Sequence, residues 1–160
     1  MLARNLLSSS GSASQRGFTM IEVLIAILVL SIGLLGLAGL QATGLRNNHQ
    51  AYQRSIATQQ VYDMADRMRA NPAGVDAGAY NAISGIPTNP GCTGSGTCSP
   101  ANIAAYDAAE WNSANAALLP SGAGTVAVVG PDVFTIIVTW DELKTGGGPT
   151  SFALNFRPAP

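Results

Sequence analysis

Charge is scarce in this sequence. Asp, Glu, Lys and Arg make up 11% of the 160 residues, against about a quarter in ordinary globular chains. Beyond Arg67 and Arg69 no Lys/Arg cluster stands out, so the electrostatic footprint of a nucleic-acid binder is missing. Histidine occurs once, at His49, and cysteine twice, at Cys92 and Cys98. With no second Cys pair and no His nearby, the ligands of a zinc site are not there. No glycine-rich phosphate loop and no nucleophile elbow is visible. His49 falls on a long helical stretch and reads as a surface or packing residue. Asp107 and Glu110, three apart, share a helix face and read as a solvated pair rather than an acid–base couple. These gaps argue against an enzyme, and no cofactor and no metal are expected.

What the chain has in excess is one apolar run. From Arg16 the sequence reads Arg-Gly-Phe-Thr-Met-Ile-Glu-Val-Leu-Ile-Ala-Ile-Leu-Val-Leu-Ser-Ile-Gly-Leu-Leu-Gly-Leu-Ala-Gly-Leu40. After Glu22 the next charge is Arg46. A helix needs roughly 20 apolar residues to cross a bilayer core, so the run is long enough with little to spare. Glu22 is its anomaly. At mid-bilayer a carboxylate costs on the order of 2.5–3.5 kcal/mol and is a functional suspect; at headgroup level it is simply hydrated. A secretory signal is the competing reading of the same run, with small residues spaced for cuts after Ala38 or Gly44. Against it, the run exceeds the usual 7–15 residues and carries Glu22 near its start.

The segment Gly17-Phe-Thr-Met-Ile-Glu22, with Arg16 and a short polar leader before it and the apolar run behind it, resembles the type III signal of type IV pilins and pseudopilins. The resemblance implies that a prepilin peptidase cuts between Gly17 and Phe18 and then methylates the Phe18 amine. It also makes Glu22 the fifth residue of the mature chain. Among packed apolar helices a lone carboxylate is costly. Pairing Glu22 with the cationic amine of Phe18, its own or a neighbour's, offsets the desolvation and fixes register. The processed chain, without Arg4 and Arg16, keeps six basic and nine acidic side chains, a net charge of −3. The flanking charges orient the span only weakly, with Arg4, Arg16 and the start amine before it and Arg46 and Arg54 after it. The resemblance instead places the leader in the cytoplasm and the bulk in the periplasm.

Along the chain, residues 1–17 form the leader, 18–44 the membrane or filament-core half of a helix, and 45–160 an external globular domain. Gly33, Gly36, Gly39 and Gly44 soften the apolar half, by about 1 kcal/mol each in a soluble helix. They read either as a soft membrane span or as a segment that can partly unwind when extracted into a filament. Leu45, Tyr52, Ile56, Ala57, Val61, Met64 and Met68 recur at spacings near three and four and predict one buried stripe. Asp63 and Arg67 pair on its surface. Asn71-Pro72 ends the helix, which would be about 80 Å long from Phe18 to Ala70. Ala73 to Pro100 reads as an irregular loop holding the two cysteines, paired rather than free if that side is oxidising. Ser99-Pro100 opens a second helix that runs to about Leu118. Strands are expected at Thr125–Val129, Val133–Trp140 and Ser151–Phe156, with Phe134, Ile136, Val138 and Trp140 turned to the long helix. Glycine-rich 141–150 and the proline-rich end are loops. The expected class is α+β, a long N-terminal helix on a small antiparallel sheet, with a second short helix in the connection.

Two longer stretches, Gly33-Leu-Leu-Gly-Leu-Ala-Gly-Leu-Gln-Ala-Thr-Gly-Leu-Arg-Asn-Asn-His49 and Tyr62-Asp-Met-Ala-Asp-Arg-Met-Arg-Ala-Asn71, are similar to the PilV type of minor pilin, the type IV pilus modification proteins. Cys98-Ser-Pro-Ala and Tyr106-Asp-Ala-Ala-Glu-Trp111 add to the likeness. It implies a low-abundance subunit of the inner membrane and then the pilus. Such a subunit joins other minor pilins in a priming or tip complex, with the major pilin and the inner-membrane assembly platform as further partners. The cysteine pair lies before the sheet, unlike the C-terminal disulfide loop of major pilins, so their receptor-binding loop does not carry over. A minor pseudopilin of a type II secretion system shares the leader and helix. A single-span protein with an external ligand-binding domain predicts no cut at Gly17.

Overall fold

The computed structural model describes residues 17–93, 98–142 and 148–158. Residues 1–16, where most of the expected leader falls, 94–97 between the two cysteines, 143–147 and the last two residues lie outside them. The elements run α1 (Met20–Ala70), α2 (Pro72–Asp76), β1 (Ala82–Ile83), α3 (Pro100–Leu118), β2 (Ala123–Gly130), β3 (Val133–Trp140) and β4 (Thr150–Phe156). Contacts divide the chain into two units, Met1–Gly44 and Leu45–Pro160.

In the first unit α1 is unbroken through Gly33, Gly36, Gly39 and Gly44. Every described side chain in it is exposed. Two hydroxyls are satisfied within the helix: Ser31 Oγ donates to the Ile27 carbonyl at 2.7 Å, and Thr43 Oγ1 to that of Gly39 at 3.0 Å. Such back-bonding leaves no hydroxyl without a partner where water is absent. Among the described residues α1 is the one helix long and apolar enough to cross a membrane.

In the second unit the sheet order is β1-β2-β3-β4, antiparallel throughout. β3 alternates as its sequence demands, with Phe134, Ile136, Val138 and Trp140 buried. They join Ile56, Val61, Met64 and Met68 of α1 and Trp111 of α3 in a single core. Phe152, Leu154 and Phe156 share the inner face of β4. The β2–β3 turn places Asp132 at φ 56°, a left-handed conformation that Asp tolerates better than most residues.

The stripe on α1 differs from expectation at its start. Leu45 and Tyr52 are 71% and 63% exposed, and Gln53 is buried instead. The buried positions Gln53, Ala57, Val61, Met64 and Met68 step by four, four, three and four, and Tyr52 falls one residue off that line. The expected loop after Ala70 also holds more order than its composition suggests. Asn71 does not merely stop α1. Its side chain accepts from Gly74 N and caps α2, with Pro72 in the first helical position. Ile83 then pairs with Val126 to add a two-residue strand. Ser99 caps α3 as expected, accepting from Asn102 N at 3.2 Å.

Asp107 is a correction. It is not solvated but 7% exposed. Its Oδ2 accepts from the Tyr80 hydroxyl at 2.6 Å, and its Oδ1 lies 3.3 Å from Arg67 Nη1. Arg67 also donates from Nε to Asp63 at 2.9 Å. Asn71 Nδ2 donates to Tyr80 Oη at 3.1 Å and to the Pro100 carbonyl at 2.8 Å. The group joins α1, α3 and the segment after α2. Burial works against the charge on Arg67, but the two carboxylates outweigh it and hold its pKa above the ordinary value. Glu110 takes no part; it accepts from Asn89 Nδ2 at 2.8 Å.

Asn112 does for β2 what a longer β1 would have done. Its side chain donates to the Gly85 carbonyl and accepts from Gly124 N, so part of the strand edge is satisfied by a helix. Gly124 sits so close under α3 that a Cβ there would collide with the Trp111 ring and the Asn115 amide. Gly124→Ala is therefore expected to cost about 1–3 kcal/mol, measured as a fall in the denaturation midpoint. Burial, with the Asp107 carboxylate as acceptor, raises the Tyr80 pKa above the usual tyrosine range. A raised folded-state pKa stabilises fully below the unfolded value of about 10 and is lost above it. Stability should therefore fall as pH rises beyond about 10, more steeply than in Tyr80→Phe. At neutral pH that variant should itself lose about 1–3 kcal/mol, because Asp107 Oδ2 stays buried without its donor.

Candidate processing and assembly site

The residues singled out at the head of the chain straddle the start of α1. Gly17, Phe18 and Thr19 are not helical, and α1 begins at Met20, two residues later than the expected start at Phe18. The reason is Thr19. Its hydroxyl accepts from Glu22 N at 3.3 Å, and its carbonyl accepts from Glu22 N at 3.1 Å and Val23 N at 3.3 Å. This is how an N-cap residue satisfies amides that have no partner in the helix. Thr19 was legible in the sequence, since Thr-x-x-Glu before an apolar run is a helix-start pattern.

Glu22 is consequently in the first turn of α1. There the unpaired amides give the helix end a partial positive charge, and a carboxylate gains about 0.3–1 kcal/mol. Phe18 is 84% exposed. Phe18 and Glu22 line one shallow groove with Val23, Ala26, Ile27 and Leu30. The aromatic residue and the carboxylate thus share a face, and the rest of that face is apolar.

The second pair of expected residues is joined. Cys92 and Cys98 form a disulfide with Cα atoms 6.0 Å apart. It leads directly into the Ser99 cap of α3, whose Pro100 carbonyl is held by Asn71. The bond pins the segment that enters α3.

Elsewhere in the second unit the chemistry is sparse. His49 is exposed, and its Nε2 lies 3.0 Å from Gln53 Nε2. With Tyr52, Gln53 and the end of α3 it borders a cleft of about 330 Å³. A wider one, about 840 Å³, is bordered by Asp76, Asp132 and Arg157 among others. Among the described residues no group of three metal-ligating side chains occurs.

Two family models match. The model for the prokaryotic N-terminal methylation motif covers residues 12–38, and that for type IV pilin Tt1218 covers residues 39–109. No curated protein and no solved structure matches the chain. The two models adjoin. Together they cover residues 12–109, which takes in all of α1 and α2 and reaches the middle of α3. An apolar N-terminal helix, a disulfide and a small antiparallel sheet accompany them. The chain belongs to the type IV pilin-like proteins.

Proposed function

We propose that the chain is a minor pilin of the PilV type, which helps to start type IV pilus assembly for twitching motility and adhesion. The observation that carries this reading is the methylation-motif match over residues 12–38, laid over a helix head where Phe18 and Glu22 share an apolar groove. In this reading residues 1–17 are the leader, 18–44 the membrane and filament-core segment, and 45–160 the periplasmic domain. A prepilin peptidase cuts after Gly17 and methylates Phe18. The apolar half of α1 then waits in the inner membrane and exchanges lipid for the helices of other minor pilins and the major pilin on the assembly platform. The protein catalyses nothing.

Glu22 acts during that exchange. In lipid it sits at the headgroup level, beside the helix end that favours it. In a filament it needs a cation, and the methylated amine of an adjoining Phe18 is the one at hand. The same residue therefore discourages wrong registers, which would leave the carboxylate unpaired.

Mass spectrometry of the mature protein from piliated cells should find Phe18 at the N-terminus, methylated; a chain that retains Gly17 sinks the reading. Glu22→Ala should still be processed but be recovered in sheared pili at least about tenfold less, the factor that follows from losing roughly 1.4 kcal/mol or more of a buried charge pair. Deleting the gene should abolish twitching while leaving secretion intact. The opposite outcome assigns the chain to a type II secretion system.

A further inference from the structure

We propose that Thr19 is a positioning residue for processing: its hydroxyl caps α1 and so keeps the Gly17–Phe18 peptide bond outside the helix, where a peptidase can reach it. The inference rests on the processing reading above and adds a residue to it.

A peptide bond within a helix has its carbonyl committed to an amide four residues on. It can be drawn into a cleavage site only after that turn is undone. In this chain the boundary falls just downstream of the expected cut. Gly17, Phe18 and Thr19 are non-helical and exposed, and Met20 is the first helical residue. Three hydrogen bonds set this boundary, and all end on Thr19: one on its hydroxyl and two on its carbonyl. The two carbonyl bonds would form with any residue at this place. The hydroxyl bond requires Ser, Thr, Asp or Asn.

The sequence upstream shows why the boundary needs fixing. Ser12 and Ser14 precede Gly17, and each is a good cap in its own right. If Thr19 loses its hydroxyl, a helix started at either serine runs back across the Gly17–Phe18 bond. Gly17 opposes this by its own poor helix propensity, about 1 kcal/mol against Ala. Thr19 and Gly17 thus act on opposite sides of the same bond and in the same sense. Glu22 supports the boundary from the first turn, where its charge suits the helix end.

The test uses the full-length precursor in membranes that contain prepilin peptidase, with cleavage followed over time by mass spectrometry. Thr19→Val keeps the shape and removes the acceptor. It should be cut about fivefold more slowly, the factor equivalent to losing a typical cap of about 1 kcal/mol. Thr19→Ser, which retains the acceptor, should be cut at the native rate. Backbone carbon shifts of labelled Phe18 should move towards helical values in Thr19→Val and not in Thr19→Ser. Equal cleavage of the valine variant overturns the proposal. So does a slow serine variant, which would mean that the peptidase reads the threonine itself. Slow cleavage of the valine variant with Phe18 still non-helical overturns it too. A native precursor that is never cut removes the processing reading and this inference with it, and is recognised by the native control alone.

Discussion

Apolar surface needs a cover, and half of α1 has none within its own unit. Residues 20–44 of this helix present Leu, Ile and Val on every side, and all of them are exposed. Each such side chain is worth about 1.5–3 kcal/mol when removed from water. Thirteen of them amount to roughly 20–40 kcal/mol, more than the 5–15 kcal/mol that holds a typical fold together. No aqueous resting state is compatible with that. The requirement for a lipid or protein environment is thus written into the helix, and the identity of the chain as a pilin-like protein is the family's answer to it.

The other unit meets its requirements internally. Its end of α1 supplies one stripe to a core shared with α3 and all four strands. Around the apolar centre the polar groups are tied to each other. Arg67, Asp107, Tyr80 and Asn71 link helices to the connecting segment. Trp111 Nε1 donates to the Gln60 carbonyl at 2.8 Å, and Arg69 lies over the Phe156 ring at 4.7 Å. At the far edge Arg54 reaches Glu142 at 3.0 Å, and Glu142 also accepts from Thr150. The two ends of the glycine-rich connection between β3 and β4 are thereby held to one carboxylate and to α1. A net charge near zero and a small core leave few other devices, so these links carry an unusual share of the specificity.

Features that depend on local pattern were legible in the sequence. The alternation Phe134, Ile136, Val138, Trp140 specified β3 to the residue, and Ser99-Pro100 specified the start of α3. The cysteine pair formed as its short spacing suggested. Features that depend on tertiary partners were not legible. Asp107 looked like a solvated helix residue because nothing in its neighbourhood announces Tyr80, 27 positions earlier. Gln53 replaced Tyr52 in the stripe because helix phase is fixed by the core as a whole, not by which residue is the more apolar. Asn71-Pro72 spells a full stop for α1, and the same two residues also begin a new turn. At the head of α1 the motif itself marks the acid and the expected cut. The threonine between them carries a pattern with Glu22 that marks the helix start.

Ser31 and Thr43 have a consequence for which surroundings the apolar half of α1 can accept. Each closes its hydrogen bond on a carbonyl one turn back. From Val23 to Leu45 the segment therefore carries no side-chain donor that depends on its surroundings, apart from the amide of Gln41. It can pass from hydrocarbon to a sheath of other helices, and back, without trading one polar bond for another. For such a segment the two surroundings would differ chiefly in van der Waals fit and in what they offer the single acid at the head.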